Sequence, residues 1–374
     1  MAGDPERRRK GRDAWEDWPE VPGYQVEHLL GHGGNSAVYR ALQEATGSTV
    51  ALKVLTLQRH DLGAALARLE REARIGRRLV HPDIVPVLDF GQDGRRAWIA
   101  MELLDGFELT HALTDPSFRL KDRLDVVLRV AGALHYAHGQ GVVHRDVKPS
   151  NIFMTREGGV RLLDFGIAHV KVDLRLTRSG VIVGTPRYMA PEQVTGGEID
   201  PRTDVFSLGV VLYQALTGAL PWEADSIPKL IIAVATRPPT PLQESLPAGA
   251  FGLDDAARTR LAEVVHQALA AEPAARFASM AELALALDVF CDAPAGPSPG
   301  GAAPAPWSQR RVDWALARAA RLQAEAGLVG RPGARGGADE LDETLSRRGE
   351  WLWRALVVLF VLGLAAALWV TLGG

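Results

Sequence analysis

Between Tyr24 and about Cys291 the chain alternates apolar runs with turn residues, and the spacing of its apolar positions changes along the way. Runs at Tyr24 to Leu30, Ala37 to Leu42, Thr49 to Leu55, Val85 to Phe90 and Ala97 to Glu102 predict strands. A stretch around Leu62 to Leu79 interrupts them and predicts a helix. Further on, Leu124, Val127, Leu128, Ala131, Leu134, His135 and His138 recur at three- and four-residue steps and form one amphipathic helical face. Similar periods follow at about 204 to 217, 258 to 270 and 279 to 290. The expected fold class is α+β, with a small β-rich lobe over about 24–104 and a larger helical lobe over about 105–291.

The flanks have a different pattern. Residues 1–23 are charged, from Arg7, Arg8, Arg9 and Lys10 to Glu16 and Asp17, with no apolar run after the basic cluster, so a disordered tail is expected and a signal peptide is not. After Cys291 the sequence turns to Pro, Ala and Gly, and residues 292–350 read as a linker with a short amphipathic stretch from Trp307 to Leu328. Ala355 to Leu372 is an unbroken run of 18 uncharged, mainly apolar residues, extended backward by Trp351, Leu352 and Trp353. As a helix, 351–372 would run roughly 33 Å, enough to cross a hydrocarbon core. Arg347, Arg348 and Arg354 mark its N-terminal end as the cytoplasmic side. The expectation is a single-pass cell-membrane anchor with the globular part in the cytoplasm.

Composition narrows the function. The chain has 374 residues, 47% of them hydrophobic, enough for a sizeable core, and a formal charge of -3 that gives no basic field for nucleic acid. A nucleic-acid partner is therefore not expected. Its one cysteine, Cys291, excludes an internal disulfide and reads as a small buried apolar residue in a reducing compartment. Lysine is scarce beside arginine, so a lysine retained inside a motif points to a need for a compact ammonium.

Four segments carry that chemistry. Gly31-His32-Gly33-Gly34-Asn35-Ser36-Ala37-Val38-Tyr39 lies between two predicted strands, where glycines let backbone N–H groups approach phosphate oxygens. Ser36 replaces the third glycine of Gly-x-Gly-x-x-Gly, and the strand that follows argues against a dinucleotide-binding turn. Lys53 sits inside the buried-looking strand Val50 to Leu55, where an ammonium needs anionic company. Glu72, which shares a helix face with Leu69, is the expected partner, with Glu70 its competitor, and nucleotide phosphates supply further negative charge. In His144-Arg145-Asp146-Val147-Lys148-Pro149-Ser150-Asn151, Asp146 can accept the proton of an attacking hydroxyl. Lys148 can neutralise a transferring phosphoryl group, and the Asn151 amide oxygen can ligate Mg2+. Asp164-Phe165-Gly166, after the apolar run Val160 to Leu163, places a second hard ligand at a strand end.

In this order, and with Met101-Glu102-Leu103-Leu104, Ala190-Pro191-Glu192, Asp204 and Arg276, these pieces resemble the protein kinase family over about Tyr24 to Phe290, and most of all its bacterial membrane-anchored serine/threonine members. The resemblance implies a bilobal protein-kinase-like fold, ATP with Mg2+ (Mn2+ as the alternative ion), and protein substrates bearing Ser or Thr. It implies Lys53, Glu72, Asp146 and Lys148 as catalytic residues, and Asn151 and Asp164 as metal ligands. Leu30, Gly31, His32, Gly33, Gly34, Asn35, Ser36, Ala37, Val38, Ala51, Met101, Glu102, Leu104 and Phe153 would surround the nucleotide. Within that set Met101 is the gatekeeper, Glu102 and Leu104 offer backbone hydrogen bonds to adenine, and Val38, Ala51 and Phe153 sandwich the base. Glu192 would pair with Arg276, and Asp204 would brace the catalytic loop. Lys148 and the segment from Gly184 to Tyr188 resemble serine/threonine instead of tyrosine specificity. Thr177, Ser179 and Thr185 lie in the expected activation loop, where a phosphate would pair with Arg145. A homodimer that autophosphorylates in trans is allowed. A catalytically silent binding module and a small-molecule phosphotransferase are the competing readings.

Overall fold

The computed structural model describes residues 18–32, 36–56, 62–94, 96–113, 118–165 and 186–291. All belong to one compact unit. The expected linker 292–350 and the expected anchor 351–372 lie outside the described residues. Among the described residues no helix is long and apolar enough to cross a membrane.

Five antiparallel strands open the fold: β1 (Tyr24–His32), β2 (Ser36–Gln43), β3 (Ser48–Thr56), β4 (Val87–Asp93) and β5 (Arg96–Glu102), in the order β1-β2-β3-β5-β4. Period-two alternation divides β3 between two cores. Val50, Leu52 and Val54 pack with Ala41, Trp98, Ala100, Val21 and Tyr24 on one face. On the opposite face, Ala97 and Ile99 of β5 pack against Leu69 and Ala73 of helix α1 (Leu62–Arg78). Lys53 pairs across the sheet with Val38 and Ile99, so it belongs to the α1 side. The edges of the sheet also meet, because the Tyr24 hydroxyl of β1 donates to Asp89 of β4 at 2.9 Å.

The expected strand Val85 to Phe90 begins later than its apolar run. Val85 N–H donates to Leu162 O at 3.0 Å, Leu162 N–H donates to Asp83 O at 2.8 Å, and Pro86 has no N–H to give to a ladder. The segment before β4 is thereby tied to the second lobe.

That lobe contains β6 (Gly106–Glu108), α2 (Leu109–Ala112), α3 (Leu120–Gly139), β7 (Ile152–Thr155), β8 (Val160–Leu162), α4 (Pro191–Thr195), α5 (Pro201–Thr217), α6 (Ile227–Thr236), α7 (Leu242–Ser245), α8 (Asp255–Ala268) and α9 (Met280–Asp288). Strands β6, β7 and β8 form a small sheet. The single amphipathic face expected for α3 is too narrow a description. Val126, Val130, Ala133, Tyr136 and Ala137 are buried as well as Leu124, Val127, Ala131 and Leu134, because the helix runs through the core against α5 and α9. Caps explain why α5 and α8 start three residues before their apolar periods. The Asp200 carboxylate accepts from Arg202 N–H and the Asp254 carboxylate from Ala257 N–H, which satisfies first-turn donors. Cys291 is buried at the edge of the same core.

Candidate active site

Strand β3, helix α1 and the turn after β8 deliver three charges to one point. Lys53 Nζ lies 3.4 Å from Glu72 Oε1 and 2.9 Å from Asp164 Oδ2. Glu70, the competitor, is exposed. Burial opposes the charge on Lys53, but Asp164 and Glu72 outweigh it and hold its pKa above the ordinary lysine value. The carboxylates diverge. Burial holds Glu72 above its ordinary range, with Lys53 pulling down and Asp164 adding to the rise. Burial would also raise Asp164, but Lys53, followed by His144 and Lys148, keeps it below the usual carboxylate range.

The residues of the 144–151 segment converge where a short 3-10 helix, Pro149–Asn151, leads directly into β7. Lys148 Nζ donates to Asp146 Oδ2 at 2.7 Å, and Asn151 Nδ2 donates to the same oxygen at 3.0 Å and to the Asp146 carbonyl at 2.8 Å. With both amide hydrogens of Asn151 directed at Asp146, its Oδ1 faces away and is free to ligate a cation. Asp164 keeps 36% of its side-chain surface accessible, and one of its oxygens is committed to Lys53. Two hard oxygen donors from separate segments suit Mg2+, whose remaining ligands are phosphate and water. Among the described residues no cluster of three or more His, Cys, Asp or Glu side chains forms a metal cage.

Beneath the loop lies a scaffold. Asp204, fully buried on α5, accepts from His144 N–H at 2.8 Å, Arg145 N–H at 2.8 Å and His138 Nε2 at 2.7 Å. Burial would raise its pKa, but the bond and charge of His138, then His144 and the Arg145 N–H, hold it low. Arg145 (φ 67°) and Asp164 (φ 45°) both occupy the left-handed region, a strained backbone maintained by such surrounding bonds. His144 Nδ1 accepts from Asp146 N–H at 3.2 Å, so its Nε2 carries the hydrogen donated to Leu163 O at 2.9 Å. Its ring packs on Phe165 with centroids 4.6 Å apart, joining the loop that holds Asp146 to the turn that holds Asp164. Gln193 donates to Arg145 O at 2.8 Å while accepting from Ala190 N–H at 2.9 Å. Glu192 and Arg276 form a buried bidentate pair at 2.7 and 2.8 Å, and the other three guanidinium hydrogens go to the carbonyls of Ala270, Arg202 and Ala271.

The residues expected to face a nucleotide are placed unevenly. Val38, Ala51, Lys53 and Met101 share one face of the sheet, since Lys53 pairs with Val38 and Ala51 with Met101. Ala37 pairs with Val54 and so points its side chain to the other face, leaving only its backbone for a ligand. Glu102 N–H is committed to Pro86 O at 3.1 Å, so any hydrogen bond Glu102 makes with a base runs through its carbonyl. Leu104 and Phe153 are half-buried, Phe153 on β7 opposite Glu108 and Arg161. Leu30 and Gly31 are exposed, and His32 and Ser36 flank the glycine turn. Gly33, Gly34, Asn35, Gly166, Thr177, Ser179 and Thr185 lie outside the described residues. Sequence reasoning missed His138 and Gln193 as parts of the site. His138 entered only as a member of a helix face, and its partner Asp204 is 66 residues away, a distance no local pattern reveals.

Comparison with known proteins places this geometry. The protein kinase domain model matches residues 24–285. Serine/threonine-protein kinase PknD of Mycobacterium tuberculosis is 39% identical over 264 residues, covering 70% of this chain and 39% of PknD. Serine/threonine-protein kinase pkn3 of Myxococcus xanthus is 40% identical over 271 residues, covering 68% of this chain and 48% of its own length. The crystal structure of the Mycobacterium tuberculosis PknI kinase domain superposes with a TM-score of 0.56 at 30% identity, covering 72% of this chain and 97% of that domain. The chain spans less than half the length of PknD and pkn3.

Proposed function

We infer the function from family and site together: the chain belongs to the protein kinase family, and we propose that it transfers the γ-phosphoryl group of ATP to Ser and Thr hydroxyls of proteins. The observation that carries this reading is the Asp146 carboxylate, fixed by Lys148 and Asn151. A substrate hydroxyl hydrogen-bonded to Asp146 gives up its proton there as its oxygen attacks phosphorus. Lys53, held by Glu72, orients the nucleotide phosphates, and Lys148 meets the charge on the transferring group. Asn151 and Asp164 would hold Mg2+, which neutralises phosphate charge when bound. Full-length chain incubated with labelled ATP and Mg2+ tests the reading, with phosphoamino-acid analysis and Asp146→Asn alongside. Label on Ser or Thr that vanishes in the variant supports it, and an inert wild type contradicts it.

Two further parts of the reading concern location and regulation. The 351–372 segment anchors the chain in the cell membrane with the catalytic lobes cytoplasmic, and the predicted result is membrane sedimentation that survives carbonate washing and is lost on truncation at Gly349. A phosphate on Thr177, Ser179 or Thr185, added in trans within a homodimer, orders the activation loop by pairing with Arg145. The Arg145 guanidinium supports this, since it has no ion pair among the described residues while its backbone is fixed by Asp204 and Gln193. Phosphopeptide mapping of active protein checks it, and active protein unmodified at all three sites contradicts it.

A further inference from the structure

Helix α1 has a second face. Opposite Leu69 and Ala73, which pack on the sheet, stand Arg71, Arg74 and Arg78, all exposed, with Arg77 on the flank. At 100° per residue the first three fall within an arc of about 60° centred away from the buried face. None of the four arginines has an ion-pair or hydrogen-bond partner among the described residues. Arg77 and Arg78 also complement the dipole at the helix C-terminus, but that effect is confined to the last turn and leaves Arg71 and Arg74 without a role. Beyond the helix end, Arg77 shares a cleft of about 350 Å³ with Leu79, Val80, Pro86 and Val87. Val80, at its rim, is 65% exposed.

A ridge of unpaired arginines beside a protruding apolar side chain fits an anionic lipid surface. The guanidinium groups meet phosphate headgroups, and Val80 reaches the acyl boundary. We propose that this face of α1 docks on the anionic leaflet to which the chain is anchored, a proposal that rests on the anchor reading given above. The overall charge of -3 makes the positive ridge a local feature, so docking orients the domain instead of attracting it indiscriminately. The same helix carries Glu72, the partner of Lys53.

The test uses full-length chain reconstituted in nanodiscs of phosphatidylcholine with or without phosphatidylglycerol, with a fluorophore on Glu70→Cys and a headgroup acceptor. Cys291 is buried and is not the labelling site. Energy transfer should rise in the anionic discs and fall in high salt. Each arginine contributes about fivefold to the docking equilibrium, so Arg74→Gln with Arg78→Gln should weaken it about 25-fold. Equal transfer in both lipids, or transfer unchanged in the double variant, overturns the proposal. So does energy transfer to soluble polyglutamate carrying the same acceptor but not to anionic discs, which would assign the face to an acidic protein. Flotation with neutral vesicles reads the anchor separately, because insertion needs no anionic lipid.

Discussion

Glu72 and Asp164 flank one ammonium, yet their pKa values move in opposite directions, and stability follows each differently with pH. For Glu72 the folded value is raised above 4.5, so the folded state holds a proton the unfolded chain has lost. Its contribution is full below pH 4.5 and is lost as pH rises through the folded value. Glu72→Gln should therefore flatten that decline in urea unfolding measured across acidic to neutral pH. Asp204 behaves in the reverse sense. With its folded value below 3.8, its contribution is present above that pH and is lost as pH falls through the folded value. Asp204→Asn leaves a buried backbone N–H of His144 or Arg145 without its acceptor, a cost of about 1–3 kcal/mol at neutral pH. The gap between variant and wild type should close below pH 3.8, and a gap constant with pH would contradict the assignment. At this scale Lys53, Glu72, Asp146, Asn151 and Asp164 were legible, because each chemical role restricts the residue type. His138 and Gln193 were not, since a hydrogen bond across the core leaves no spacing to detect.

Among elements, the Glu192–Arg276 pair joins the start of α4 to the turn before α9, and all five guanidinium hydrogens have acceptors. Arg276→Met should cost about 3–5 kcal/mol by leaving a buried carboxylate unpaired. Adding Glu192→Leu should recover most of that loss, and a double variant no more stable than the single one would contradict the pairing argument. A different contact fixes α5 against α8. A Cβ on Gly209 would lie 2.9 Å from the Ala268 Cβ, so Gly209→Ala should destabilise by about 1–3 kcal/mol. Apolar runs bounded by turn residues revealed the strands of the first lobe, because its central strands β3 and β5 are covered on both faces. Strand β6, three residues long, is too short for a period to register, whereas the equally short β8 was legible as the apolar run Val160 to Leu163 that ends at Asp164. The breadth of burial on α3 lay in Val126, Val130 and Tyr136, a second apolar stripe that the single expected face left out and that packing in the core buries.

In the whole molecule, the proposed reaction divides between the two lobes. The β-rich lobe supplies Lys53, Glu72 and the nucleotide-facing surface of β3 and β5, and the helical lobe supplies Asp146, Lys148, Asn151 and Asp164. The bilobal plan was legible from the change of apolar period near residue 104, although the tie between Val85 and Leu162 was not. This division separates holding the nucleotide from taking the proton. Nucleotide affinity and turnover, measured together on full-length Asp146→Asn with Mg2+ and beside wild type, test that separation most directly. Affinity should stay within about threefold while turnover falls about 10²- to 10⁴-fold. Turnover retained in the variant, or affinity lost in step with it, would contradict the role of Asp146 as the group that accepts the hydroxyl proton.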